Sequence, residues 1–363
     1  MLMRVGISVA ALVLAFLGSA SPQSAPAQEK TVNDKASQEG VVHTDVDLVS
    51  VYFTVRDNNK RLVNDLPQDK FRVSEDGNPQ AIKFFAHHSD VLLTVGMLLD
   101  TGTNMSWILG EEAQASSLFV KHVVRPTDLG FILSYASRVE TVQLPTSDVA
   151  LLVEQAHSIQ TGAAIGLPGG GPPSSRGVSL PGGGTVGING KHVNQNRTAH
   201  LYDAARVATL RYLSGEVGRK AVVIVALSGD SQSESTLEDA LKALLENDVI
   251  AYVLQIHDAP GRDDCDVRHI FEKDSLKKLA EATGGRVLDV RGMDKLEPAL
   301  DEISEELHHQ YSLGYYPENK NWDGNFRKLQ ISALEKGYSV HARKGYYAKR
   351  PAENPAASTV NKP

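Results

Sequence analysis

The apolar positions of this chain fall into three successive patterns. In the first, Val49, Val51, Phe53 and Val55 alternate with Ser50, Tyr52, Thr54 and Arg56. A period of two predicts a strand with one face in a core. Phe71-Arg72-Val73 and Ile82-Lys83-Phe84-Phe85 then flank Glu75-Asp76-Gly77-Asn78, whose Asp-Gly pair predicts a hairpin. The second pattern begins at Val91. Residues 91–96 are almost uninterruptedly apolar and run on through Met97-Leu98-Leu99 to Asp100. A short apolar run closed by a turn predicts a strand buried on both faces of a parallel sheet. Trp107, Ile108, Ala115, Leu118, Phe119 and Val123 follow at helical spacing. Further strands are predicted over 129–135, 221–227, 249–256 and 286–289, with a short edge strand over 138–144. Helices are predicted over 148–158, 199–213, 236–246, 271–283 and 293–308, one of them stopped at Gly284-Gly285. Strands alternating with helices of this length predict an α/β fold with a doubly wound, Rossmann-like, mostly parallel sheet.

In the third pattern the period of two returns over 311–315, 326–333 and 338–342, with a turn at Asp323-Gly324. Neither flanking group holds enough strands to be stable alone. The ends of an inserted domain usually lie close together. Residues 45–90 and 311–348 are therefore predicted to be two halves of one small β module around the domain 91–310. Its shared core should include Val51, Phe53, Phe84, Leu329 and Ile331.

One tract breaks the pattern. Residues 162–197 are rich in glycine up to Gly190, and Leu-Pro-Gly-Gly-Gly occurs at 167–171 and again at 180–184. Such composition buries too little apolar area to offset its ordering entropy, so a disordered insertion is predicted. No Gly-Lys-Ser or Gly-Lys-Thr follows it to make a phosphate loop.

The ends have their own character. Met1 to Arg4 carries one positive charge, and the apolar run over 5–17 has signal-peptide length. Residues 1–20 read as a signal peptide cut after Gly18-Ser19-Ala20, with Ala25-Pro26-Ala27 as the other possible site. An uncleaved anchor is the alternative, for which the run is short. Residues 21–44 read as a flexible leader and 349–363 as a disordered tail. No other stretch is long enough to cross a bilayer, so an exported protein is expected, periplasmic or secreted, with no membrane span after signal-peptide removal. At 363 residues, 41% hydrophobic and 22% charged, the composition is ordinary for a globular protein. A net charge of -7, without a basic cluster interleaved with aromatics, argues against nucleic acid. Cys265 is the only cysteine and lies among aspartates, so no intrachain disulfide is available.

Candidate chemistry centres on Asp100. A parallel strand delivers its last residue to the carboxyl edge of the sheet, where open α/β sheets bind ligands. A carboxylate with short polar side chains and a glycine after it suits a hard cation held by oxygens. Asp100-Thr101-Gly102-Thr103-Asn104-Met105 resembles the first metal loop, Asp-x-Ser-x-Ser-Met, of von Willebrand factor type A domains, with both serines replaced. Thr198-Ala199-His200-Leu201-Tyr202-Asp203-Ala204 resembles the helix start that carries the metal-loop threonine of that family. Residues 220–230 resemble the strand that normally ends Ser-Asp-Gly. The tail motifs Gln310-Tyr311-Ser312-Leu313-Gly314-Tyr315-Tyr316-Pro317 and Arg343-Lys344-Gly345-Tyr346-Tyr347-Ala348 resemble a bacterial branch of secreted type A proteins first catalogued in acidobacteria.

The resemblance implies a metal site built from Asp100, Asn104, Thr198 and Asp230, for Mg²⁺ or else Mn²⁺ or Ca²⁺. Gly102 has no donor, and Gly229 stands where the family has its later aspartate, so the site is degenerate. Without metal, Asp100 would serve as an N-cap. His87-His88 and His308-His309 lack the i, i+4 spacing of helical zinc ligands and read as solvated or interface histidines. No Gly-x-Ser-x-Gly, His-Glu-x-x-His or Walker lysine is present, so no enzyme is expected. The expected function is an exported, non-enzymatic protein-binding or adhesion-type module whose partner is another protein. A metal-free envelope scaffold, and a hydrolase or nucleotide-binding protein on a Rossmann-like sheet, are the alternatives.

Overall fold

The computed structural model describes residues 48–87, 91–101, 116–158, 177–179, 185–187, 199–226, 229–257 and 267–349. The signal-peptide and leader assignments, residues 350–363, Asn104, Thr198 and Cys265 lie outside the described residues. The chain runs β1 (Val49–Arg56), β2 (Phe71–Glu75), β3 (Asn78–Gln80), β4 (Ile82–His87) and β5 (Leu93–Asp100). Helix α1 (116–123) follows. Then come β6 (Leu129–Tyr135), β7 (Val139–Thr146), α2 (Val149–His157), β8 (Gly177–Ser179), β9 (Thr185–Gly187) and α3 (Leu201–Val207). A π-helical segment, Ala208–Leu213, continues α3. The domain ends with β10 (Arg219–Ala226), α4 (Leu237–Glu246), β11 (Val249–His257), α5 (Val267–Thr283), β12 (Val287–Arg291) and α6 (Leu296–His308). Strands β13 (Tyr311–Tyr315), β14 (Phe326–Ala333), β15 (Ser339–Ala342) and β16 (Gly345–Tyr347) follow.

The central sheet has the order β12-β11-β10-β5-β6-β7. All its neighbours are parallel except β7, which returns antiparallel from β6. Every residue of β5 is buried, as the apolar run predicts for an interior strand. Alternation divides β5 between two cores. Val95, Met97 and Leu99 face Phe119 and Val123 of α1, Leu152 of α2 and Leu300 and Ile303 of α6. Leu98 faces the opposite core, formed with Leu201 and Ala205 of α3, Leu244 of α4 and Leu279 of α5. The fold is doubly wound α/β with a small β module beside it.

That module consists of two antiparallel sheets, β15-β1-β13-β4 and β16-β14-β2-β3. Each sheet interleaves strands from before and after the domain. Val51 lies opposite Leu313, and Val73 opposite Ile331. Val51, Phe53, Phe71, Val73, Leu313, Leu329 and Ile331 form a third apolar core.

Several expectations need correction. Phe84 is 53% exposed and outside the module core, because Phe85 points inward, against Phe71 and Tyr311. The Asp76-Gly77 turn joins β2 to β3, while β4 leaves for the other sheet to pair with β13. Strand β1 is buried on both faces along its second half, since Arg56 meets Glu306 of α6. Residues 293–295 form a 3-10 turn ahead of α6 rather than its first turn. Within the glycine-rich tract, Gly177–Ser179 and Thr185–Gly187 pair with each other; the rest of 162–197 lies outside the described residues. His308 is fully buried rather than solvated.

Candidate functional site at the sheet's carboxyl edge

Asp100 is the last residue of β5, in register with Tyr135 of β6, and is 1% exposed. β5 is apolar up to Leu99, so its first carboxylate arrives where the hydrophobic layers end. Thr101 N–H donates to the Tyr135 carbonyl at 2.9 Å, extending the pairing one residue past the strand. The Tyr135 hydroxyl reaches across β5 to the Val225 carbonyl of β10 at 3.2 Å. The chain leaves β5 for β6 on one side, and β10 is added on the other. The strand order thus reverses between β5 and β10, a switch point of the kind beside which open α/β sheets bind ligands.

The loop after β10 lies beside this switch point. It is laced to the start of α3 by side chains. Ser231 Oγ accepts from Ala199 N–H at 2.8 Å, Asp230 Oδ1 from Tyr202 N–H at 3.1 Å, and Ser233 Oγ from Asp203 N–H at 3.1 Å. Asp203 completes the brace, accepting from Glu234 N–H at 2.9 Å and Ser235 N–H at 3.0 Å. Arg206 Nη1 donates to Ser235 Oγ at 2.7 Å, and His200 Nδ1 lies 3.2 Å from Asp203 Oδ2. Burial alone would push the Asp203 carboxyl up. The Ser235 hydroxyl, the two loop N–H groups and His200 outweigh it and hold the carboxyl below its usual range.

Of the four residues the resemblance places at the metal, Asp100 and Asp230 are described. Asp100 closes β5, and Asp230 lies in the loop after the neighbouring strand β10. Asp230 Oδ2 also accepts from Ser233 N–H at 3.2 Å, so both of its oxygens serve the loop. Asp230 therefore ties the loop after β10 to the start of α3. Among the described residues, no group of three or more His, Cys, Asp or Glu is arranged to hold a metal. A hard cation would draw its formal charge from Asp100 and its remaining ligands from neutral oxygens and water. Asp203, Ser231, Ser233 and Ser235 went unassigned in the sequence. Their signal is the alternation of Asp230-Ser231-Gln232-Ser233-Glu234-Ser235, which looks like any polar loop until α3 lies against it.

One arrangement elsewhere bears on the hydrolase alternative. Ser304 Oγ, the His308 ring and Asp128 form a line, with contacts of 3.3 Å and 3.2 Å. His308 and Asp128 are 1% and 3% exposed, and the shorter bond of His308 Nδ1, 2.8 Å, is to the Ser304 carbonyl. The ring therefore donates to backbone where a catalytic histidine would accept from serine.

The sheet order, with its single antiparallel edge strand and the aspartate closing its central strand, decides the architecture. It is a doubly wound α/β fold, and a von Willebrand factor type A protein is among the solved structures it is similar to. Solved structures similar to it include the proximal thread matrix protein 1 of the mussel byssus, 14% identical with a TM-score of 0.42 over 61% of this chain and 49% of that one. Another crystal structure of that mussel protein is described with a zinc-occupied MIDAS motif. An aerotolerance-related membrane protein from Bacteroides fragilis is 14% identical with a TM-score of 0.40, over 58% of this chain and 97% of that one. A von Willebrand factor type A protein from Catenulispora acidiphila is 11% identical with a TM-score of 0.41, over 81% and 71%. This chain spans about half the length of the mussel protein. No family model and no curated protein matches the sequence. Among the described residues, no helix is long and apolar enough to cross a membrane.

Proposed function

We propose that this chain is an exported, non-enzymatic protein-binding module that uses the carboxyl edge of its type A-like sheet. The observation that carries the reading is Asp100, a carboxylate buried at the end of the central strand, at the reversal point of the sheet. Beside it, the Asp203 and Asp230 hydrogen bonds tie the loop after β10 to α3. A loop already held by hydrogen bonds favours recognition, because less ordering entropy is lost on binding. In this reading the partner is another protein, and a divalent cation, when bound, takes its formal charge from Asp100, with Asn104 and Thr198 as neutral ligands. Asp230 acts through α3 or through water.

The test is calorimetry with Mg²⁺ and Mn²⁺ on the parent, on Asp100→Ala and on Gly102→Ser/Asn104→Ser, beside capture of envelope proteins with and without chelator. Asp100→Ala should abolish cation binding, the double serine variant should strengthen it, and chelator should release the partner. Cation binding that survives Asp100→Ala would remove the site assignment. Partner capture unchanged by chelator and by Asp100→Ala would remove the edge from the function.

A further inference from the structure

The amino ends of the central strands, opposite Asp100, carry a cationic pocket with no part in the proposed binding edge. Strand β1 and Arg343, which follows β15, meet there the end of α4, the first residues of β11 and the last residue of α5. The space they leave is about 300 Å³, counted with its open mouth. Leu245, Val249, Ile250 and Tyr52 give it an apolar lining. The Arg343 side chain is nine-tenths buried, with its guanidinium 5.5 Å from the centre of the Tyr346 ring.

That guanidinium is poorly matched by the protein around it. It carries five N–H donors and keeps its charge. Nη2 donates to the Ser50 carbonyl at 2.8 Å. Nη1 meets the Asp248 carboxylate as an ion pair without the direction of a hydrogen bond, and Nε has no partner among the described residues. A buried donor left unmade costs more than the bond it would form is worth. Asp248 compensates the charge weakly, because its side chain is 53% exposed and water screens it. It stands in a turn where its own backbone takes a φ of 56°. Burial pushes the guanidinium down to about 10. A second cation adds to the excess. Lys220, at the start of β10, is pushed down by burial and then by the Arg343 charge, against the pull of Glu216. Thr283 lines the pocket but is already used: its hydroxyl accepts from Ala251 N–H at 2.9 Å and donates to the Ala280 carbonyl at 2.9 Å.

We propose that Arg343 and the space beside it bind a short-chain aliphatic carboxylate, and that Asp248 is the internal anion such a ligand displaces. A planar carboxylate fits the guanidinium fork and takes the donors that the fold leaves open. Its charge offsets the second cation, and its tail lies on Leu245, Val249 and Ile250. The size of the pocket limits that tail to a few carbons. Phosphate would match the donors as well, but it is polar all round, and aliphatic walls offer its remaining oxygens nothing. Asp248, half in solvent, can leave at little cost once another anion faces Arg343.

The test uses the full chain with acetate and propionate, against chloride and phosphate at equal ionic strength, all as sodium salts. Either carboxylate should raise the melting temperature saturably and move the assigned Arg343 Nε–H resonance, and chloride should do neither. Asp248→Asn, which removes the competing charge and keeps the shape, should tighten binding about fivefold, the worth of one half-exposed ion pair. Arg343→Met should abolish binding. Carboxylates that act no differently from chloride would overturn the proposal, as would phosphate binding more tightly than propionate. Binding left unchanged or weakened by Asp248→Asn would remove the displacement, and binding that survives Arg343→Met would place the ligand elsewhere. If Arg343→Met fails to fold, the Nε–H resonance of the parent still decides.

Discussion

Glu75 shows how much a single residue depends on chain that lies far away in sequence. Its carboxylate is 2% exposed and accepts from the Tyr315 hydroxyl at 2.8 Å, the Tyr346 hydroxyl at 2.7 Å and Arg327 Nη1 at 3.0 Å. Those two tyrosines belong to the two tail motifs, so one reason those motifs carry tyrosine there is a carboxylate some 240 residues earlier. Burial pushes both phenols up, and each keeps its proton to donate. Arg327 spreads its remaining donors over the Asn319 and Asn321 carbonyls and lies 5.6 Å from the Trp322 ring. Breaking such a pair leaves a buried charge uncompensated, at about 3–5 kcal/mol. Glu75→Gln should therefore lose about that much in urea unfolding. The double change Glu75→Leu/Arg327→Met should recover much of it. A cost below about 1 kcal/mol for the single change would mean that water reaches Arg327.

At the scale of elements, close packing between neighbouring strands limits what β5 can carry. Gly96 sits opposite Phe131 in β6, and a Cβ built on Gly96 would lie 2.1 Å from the Phe131 ring. The glycine makes room for the aromatic ring that closes the α3 side of the sheet, where Phe131 also meets Tyr212 at 5.2 Å. Gly96→Ala forces Phe131 off its position, and overpacking of this kind costs about 1–3 kcal/mol. The loss should appear in the denaturation midpoint, and Gly96→Ala/Phe131→Leu should restore part of it. An alanine variant as stable as the parent would show that the ring has space to turn. Helix α4 is the opposite case, set by local sequence alone. Thr236 and Asp239 form a capping box and place the helix start where a Thr-x-x-Asp signature puts it.

For the whole molecule, the module exists only when both ends of the chain meet. Its core takes Val73 from the first half and Ile331 from the second, directly opposite one another. The seam to the domain is polar: Arg286 reaches Glu302 and Glu306 at 2.6 Å each, and Arg56 of β1 joins them from the module. Contacts across a sheet couple, whereas residues in separate cores add. A double-mutant cycle on Val73→Ala and Ile331→Ala should give a coupling energy above about 0.5 kcal/mol. The control pair Val73→Ala and Ile303→Ala, in different cores, should be additive. Additivity in the first cycle would show that the two halves of the module stabilise themselves separately.

What the sequence determined by itself was everything carried by periodicity. The uninterrupted apolar run of β5, the alternation in β1 and β14, and the spacing of strands and helices imposed the sheet and the interleaved module, because burial of apolar side chains repeats with the backbone's own period. It also marked Asp100, since an ionisable group ending an apolar strand can only stand at an edge. The tertiary structure decided which polar residues were partners. Nothing local tells a buried His308 from a solvated one, sets Asp230 against the start of α3, or sends Phe85 inward in place of Phe84. Those outcomes depend on which element packs opposite, and a polar side chain acquires its role only from the group across the contact.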